Sequence, residues 1–170
     1  EDKTFIIRFL TKELPTFNFF FDGLEGTSIY WNDEVEFVIS MVIKTIKSIE
    51  EGNDQFELIP LFKDAEDEDF VKKLLRKALA SSADTYELIK SYSRNWDPDR
   101  VALMDVILIE LAVAEMLSFK EIPIRVTLNE YIELSKYYST EKSHIFINGI
   151  LEKIVRHLVE KKQITPAQLQ

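Results

Sequence analysis

Apolar residues recur at spacings of three and four along most of this chain, and polar or proline-containing turns break the pattern. The clearest stretch lies near the far end. Ile147, Ile150, Leu151, Ile154 and Leu158 form one stripe; Leu128, Ile132 and Leu134 form another before it, with the polar turn Ser139, Thr140, Glu141 between them. This predicts two helices around a short turn. Thr127 and Glu130 have capping-box spacing and predict the start of the first helix there, the hydroxyl taking a free amide and the carboxylate reaching back to the cap. Asn148 and Gly149 interrupt the second helix. A glycine inside a helix costs about 1 kcal/mol against alanine. Gly149 is therefore read as structural, a place where a neighbouring backbone passes too close for a side chain. Asn129 and Glu130 are the other structural candidates.

Upstream, Val101 to Leu117 is apolar nearly all round, the pattern of a helix surrounded by others, with Asp97 as its cap and Pro98 at its first position. Asp105, Glu110 and Glu115 punctuate it at five-residue steps, each of which turns a helix by about 140°. They face different directions and cannot share a proton or a metal; each is expected to pair, cap or reach solvent between packed helices. Before it, the pattern predicts a helix from Glu66 to Ser82 that buries Phe70, Val71, Leu74, Leu75, Ala78 and Leu79, then a separate short helix from Asp84 to Ser93. Lys72, Lys73, Arg76 and Lys77 lie on the longer one as two pairs a turn apart. They read either as phosphate contacts or as a solvated face near the helix carboxyl end, where the macrodipole favours cations.

The first third is plainer. DKTFIIRFLTKEL predicts a short amphipathic helix stopped by Pro15. Phe17, Phe19, Phe20 and Phe21 then crowd together, as core, as packing against another part of the protein, or as a surface that stacks bases or docks a partner. A helix follows from Asn32 to Glu50, with Asp33 and Glu36 as a capping box, a stripe at Val35, Val38, Ile39, Val42, Ile46 and Ile49, and Gly52 as its stop.

With 170 residues, 46% of them apolar, the chain can build a well-packed core and is not a disordered tail. Only four glycines and five prolines are present, and the one Asn-Gly pair sits inside helical spacing, so the fold class is all-α. Residues 1–64 form an amino-terminal helical portion and 65–170 a second one, expected to pack as one compact unit. The net charge of −9 argues against a protein that grips nucleic acid over its whole surface. Residues 1–94 hold 12 basic and 19 acidic side chains against 9 and 11 in 95–170, so any polyanion site falls to the later half or outside this chain.

Chemistry is thinly represented. No cysteine is present, which removes disulfides, thiolate catalysis and cysteine zinc sites. Glu141 and His144 have the spacing used in carboxylate-bridged metal bundles, but such sites need the motif twice, and Ile154 stands where the partner of His157 would be. No metal site is expected, and His144 is read as capping or packing near its helix start. Neither a glycine-rich phosphate loop nor a nucleophile elbow occurs, so no catalytic residue and no cofactor is assigned. Val101 to Phe119 approaches the length of a membrane span, but its carboxylates would be costly in lipid. Glu1-Asp2 is neither an initiator methionine nor a signal sequence, and the chain is expected to be a fragment of a longer one, while Pro166 to Gln170 looks like a free end. The remaining feature is a polar patch at Lys142, Ser143, Phe146 and Asn148, with 142 and 146 a turn apart on one face.

Pro123, Val126, Asn129, Glu130, Glu133, Leu134, Ser135 and Lys136, then Ser143, His144, Phe146, Ile147, Asn148, Gly149, Ile150 and Leu151, carry a family likeness. In this order they resemble the carboxy-terminal half of the NusB family of transcription antitermination factors, and WDPDRVALMDVILIELAVAEML is similar to that family's central helix. The likeness runs from about Asp69 to Arg156. It implies a NusB-like helical bundle of two packed helical sub-bundles, located in the bacterial cytoplasm. It also implies binding of boxA RNA in ribosomal RNA transcripts together with the ribosomal protein NusE, within the RNA polymerase antitermination complex. By resemblance Lys142, Ser143, Phe146 and Asn148 lie at or near the RNA-facing surface. There lysine would attract phosphate, phenylalanine would stack on an unpaired base and asparagine would pair with a base edge. The alternative for the patch places Phe146 in the core with Asn148 bonded to a neighbouring loop. The family's arginine-rich amino-terminal segment has no counterpart here, so this chain is expected to bind RNA weakly by itself. Two other readings are an RNA-binding domain of an RNA cytosine methyltransferase and a protein-binding helical adaptor.

Overall fold

The structure is a computed structural model that describes residues 2–50, 52, 58–93 and 101–169. All regular elements among them are helical, and they form two compact units, Glu1–Lys63 and Asp64–Gln170.

In the first unit α1 (Asp2–Arg8) runs into a π-helical turn, Phe9–Glu13, and a 3-10 turn, Leu14–Thr16, where Pro15 ends the run. The phenylalanine cluster is helical, in α2 (Asn18–Glu25). α3 (Val35–Ser48) starts later than the sequence predicts, with Glu34 at the cap and no cap hydrogen bond from the Glu34 side chain. It also stops before Gly52, which takes a left-handed φ of 82° beyond the helix end. Lys3 instead closes α3, its Nζ donating to the carbonyls of Lys47 and Ile49 at 2.8 and 2.7 Å, where a cation is favoured by the macrodipole. Little core forms here. Val35 is the buried residue of α3, while Val38, Val42 and Ile49 of the same stripe stay exposed, as do Phe17, Phe19 and Phe20.

The second unit contains the core. α4 (Ala65–Tyr92) begins at Asp64, whose Oδ1 accepts from the amides of Glu66 and Asp67 at 3.0 and 3.1 Å, and three acidic residues follow in the first turn. It does not break at Ser81-Ser82. Ser81 Oγ donates back to the Lys77 carbonyl, and Ser82 Oγ donates across to Glu110 Oε1 at 2.8 Å, so both hydroxyls are satisfied without ending the helix. The expected pair of helices is thus one of 28 residues. Its buried side is also narrower than the pattern implies. Phe70, Leu74 and Ala78 turn inward, but Val71, Leu75 and Leu79 are exposed.

α5 (Leu103–Ser118) packs against α4, α6 (Ile124–Tyr138) and α7 (Ser143–Glu160), and it buries more residues than any other helix described. Ala102 is at its cap; the expected start at Asp97 and Pro98 lies outside the described residues. Ile109, Ala112, Val113 and Met116 meet Ile147, Ile150, Leu151 and Ile154 in one core cluster. α7 closes with Lys162 in the left-handed region at φ 57°, the amides of Lys162 and Gln163 returning to the carbonyls of Val159 and Leu158. The segment after it packs back on the core. Gln168 is buried in a 3-10 turn, Pro166–Leu169, and its Nε2 donates at 3.0 Å to the carbonyl of Met116, one of the α5 carbonyls that the helix leaves without an internal partner.

α6 starts at Ile124, directly after Pro123, not at Thr127. Thr127 therefore lies inside the helix, and its Oγ1 donates to Glu115 Oε1 at 2.7 Å; Tyr131 OH, one turn on, donates to Oε2 at 3.0 Å. Glu115 and both hydroxyls are buried, and burial with the nearby carboxylate pushes the Tyr131 hydroxyl far above the ordinary tyrosine range. Thr127→Val keeps the shape but leaves Glu115 Oε1 without its donor, and is expected to lower unfolding free energy by about 1–3 kcal/mol. Coincident urea midpoints for variant and parent would show that Glu115 does not depend on this hydroxyl.

Candidate nucleic-acid interface

The residues predicted to face RNA sit around the start of α7, and tertiary packing sorts them into two groups. Lys142 immediately precedes the helix and is exposed. Asn148 is half-buried and reaches Glu152 Oε1 at 3.4 Å, at the long limit of a hydrogen bond. The other two point inward. Phe146 is 4% exposed and belongs to the core cluster, so no ring face is open to a base. Ser143 is buried as well. Its Oγ accepts from the Thr140 amide at 3.1 Å and from Thr140 Oγ1 at 2.7 Å and donates to Ser139 Oγ, which in turn donates to Asp105 Oδ1. That chain of hydroxyls closes the α6–α7 turn and anchors it to the start of α5. The stacking role expected of Phe146 and the RNA contact expected of Ser143 are thus corrected to packing and turn closure.

A shallow cleft of about 70 Å³ does bring Lys142, Ser143 and Phe146 together with Val101, Ala102 and Asp105. Asn148 is not among its lining residues.

The structural candidates fare similarly. Asn129 and Glu130 are exposed on α6, with no capping box for Glu130 to complete because the helix begins at Ile124. Gly149 is the sharpest correction: a Cβ built there meets no described atom within 4 Å, so no described backbone requires a glycine. His144 is half-buried in the first turn of α7, and His157 Nδ1 lies 3.1 Å from Tyr92 OH. Among the described residues no group of three or more metal-ligating side chains converges, and no helix is long and apolar enough to cross a membrane.

The cations of α4 lie on surface. Lys72 pairs with Glu68 at 2.6 Å, and Lys73 Nζ stands 4.4 Å from the centre of the Phe119 ring. Because α4 continues to Tyr92, Lys72–Lys77 are not near its carboxyl end, and the macrodipole account of this cluster fails. Sequence reasoning missed the extent of this helix because Ser81-Ser82 resembles a break, and nothing local reveals that Ser82 has Glu110 as a partner.

With this geometry in place, the comparisons with known proteins are consistent with one another. The NusB family pattern matches residues 36–156. The chain is similar to the transcription antitermination protein NusB of Salinibacter ruber, 34% identical over 106 residues that make up 62% of this chain and 66% of that protein. It is also similar to the protein of that name from Chloroherpeton thalassium, 36% identical over 98 residues, 58% of this chain and 46% of the other. The match to the Listeria monocytogenes protein is 40% over 89 residues, 52% of this chain and 70% of that one. The matched regions thus span between about half and about two thirds of these relatives' lengths. Among solved structures, T. maritima NusB superposes with a TM-score of 0.53 at 27% identity, covering 79% of this chain and 89% of that one.

Two substitutions separate packing from surface. Phe146→Ala is expected to cost about 3–5 kcal/mol through lost burial and a residual cavity. Gly149→Ala is expected to stabilise by about 1 kcal/mol, because the methyl enters open space on a helix. Guanidinium unfolding checks both; an unaltered midpoint for the first, or a lowered one for the second, would contradict the assignments.

Proposed function

Because the chain belongs to the NusB family, which its sequence matches over residues 36–156, we propose that it is the helical binding domain of a bacterial transcription antitermination factor. The family match over most of the chain is the observation that carries this reading, and the structural likeness to T. maritima NusB supports it. The domain acts by binding, not by catalysis. Its RNA is single-stranded and of the boxA type, and its protein partner is the ribosomal protein NusE, the two assembling with RNA polymerase in the cytoplasm. The reading as part of an RNA cytosine methyltransferase draws no support from the relatives, which are named as antitermination proteins.

The chemistry available fits a partner-assisted binder. A net charge of −9 repels a polyanion at long range, so a local site adds only short-range contacts. Of the residues singled out from the sequence, Lys142 is exposed and Asn148 half-buried, which supports assigning the one to phosphate and the other to a base edge. NusE would supply both further contact area and positive charge.

The test is an RNA titration of the chain with and without NusE at two salt concentrations, using boxA RNA, a scrambled single strand and a duplex. NusE is expected to tighten binding of the boxA strand more than of the other two. Lys142→Gln is expected to flatten the log Kd versus log salt slope by about 0.7, the loss of one phosphate contact on a single strand. Failure to bind both NusE and boxA RNA at micromolar concentration would remove this reading.

A further inference from the structure

The first half of α4 carries four cations, Lys72, Lys73, Arg76 and Lys77. Lys72 is neutralised by Glu68 at 2.6 Å, but no carboxylate lies within ion-pair distance of Lys73, Arg76 or Lys77 among the described residues. All three are exposed. They stand three and four residues apart, as like-charged neighbours on successive turns, an arrangement that weakens a helix. The carboxyl end that would favour cations is at Tyr92, about four turns beyond Lys77. Lys73 is held in place, its Nζ over the Phe119 ring, which in turn packs on Phe70 with ring centres 4.6 Å apart.

We propose that Lys73, Arg76 and Lys77 form a track for the phosphates of single-stranded RNA, deepening the antitermination reading on which the proposal rests. Lys73 is three residues from Arg76 and four from Lys77, so about 5–6 Å separates it from each of that side-by-side pair on the next turn, a spacing comparable to that of successive phosphates along an extended strand. A basic track in an otherwise acidic chain focuses a polyanion onto one face. An acidic amphipathic peptide fits this face less well. Such a ligand needs apolar surface beside the charge, and the exposed aliphatics of α4, Val71, Leu75 and Leu79, lie about 120–160° around the helix from Lys73 and Lys77, with Leu79 alone beside a cation of the track, three residues from Arg76. The track supplies phosphate contact without base reading, so it adds affinity and not sequence preference.

The test compares the 170-residue chain with the variant K73Q/R76Q/K77Q, each with NusE present, in fluorescence titrations of boxA RNA and of a scrambled single strand at 50 and 200 mM salt. The triple variant is expected to weaken both RNAs by the same factor, about tenfold or more at the lower salt, and to flatten the salt slope by about 2, three phosphate contacts at about 0.7 each. K72Q is expected to change little, because Glu68 already engages Lys72, and K73R/K77R is expected to bind as the parent does. Helicity by circular dichroism should be the same for all. Unchanged affinity and slope in the triple variant, with the parent binding RNA, would overturn the track while leaving the antitermination reading intact. Loss of NusE association with RNA binding unaltered would overturn it in favour of a protein-docking face. A parent chain that binds no RNA would remove the antitermination reading and the track together.

Discussion

The second unit depends on one constraint: α5 packs against α4, α6 and α7, so the carboxylates it turns toward them must find their partners inside the protein. A largely apolar segment of 16 residues placed there buries more residues than any other helix described, and its three carboxylates decide how the neighbours are arranged. The roughly 140° step between them sends each to a different place. Glu110 meets Ser82 on α4, Glu115 meets Thr127 and Tyr131 on α6, and Asp105 meets Ser139 at the α6–α7 turn. Among the described residues all three accept from hydroxyls and not from cations. Among the described residues no buried side-chain nitrogen or oxygen is left without a partner. Satisfied in this way, the carboxylates fix the register of the surrounding helices, since a one-residue shift in α6 would carry both Thr127 and Tyr131 away from Glu115.

The same network governs the region expected to touch RNA. Ser139, Thr140 and Ser143 close the turn by bonding with one another and then with Asp105, so Ser143 is consumed by the fold. With the turn anchored, α7 presents a wide inward face to α5 and α6, and Phe146 falls on it beside Ile147 and Ile150. What reaches the surface is Lys142, just before the helix, and part of Asn148.

Charge is distributed against that background. The chain is acidic as a whole, yet the first half of α4 concentrates four cations in six residues, and one of them is neutralised by an ion pair. The first unit differs in kind from the second: its apolar stripe on α3 remains mostly exposed and its phenylalanines stand largely in solvent. Such a unit draws less stabilisation from burial than the α4–α7 bundle does, because apolar area left in water contributes nothing to the hydrophobic term.

The sequence by itself determined the helical class, the central place of α5 and the two helices around the polar turn, because these follow from periodicity and from the scarcity of glycine and proline. It also determined that Asp105, Glu110 and Glu115 would face apart, which is a property of helix geometry alone. Local signals failed wherever a residue's partner is distant in the chain. Thr127 has the spacing of a cap but bonds Glu115, twelve residues earlier; Ser82 looks like a break but bonds Glu110, twenty-eight residues later; Gln168 looks like a tail but holds Met116. Phe146 and Lys142 share a helical neighbourhood, and only the packing of α7 decided that the ring goes inward while the ammonium stays in water. For Gly149 the sequence showed an anomaly, a glycine inside a helix, and the tertiary structure excluded the expected cause among the described residues, since the space beside it is open. A side chain's surroundings are fixed by which elements pack against its own, and spacing along one element does not contain that information.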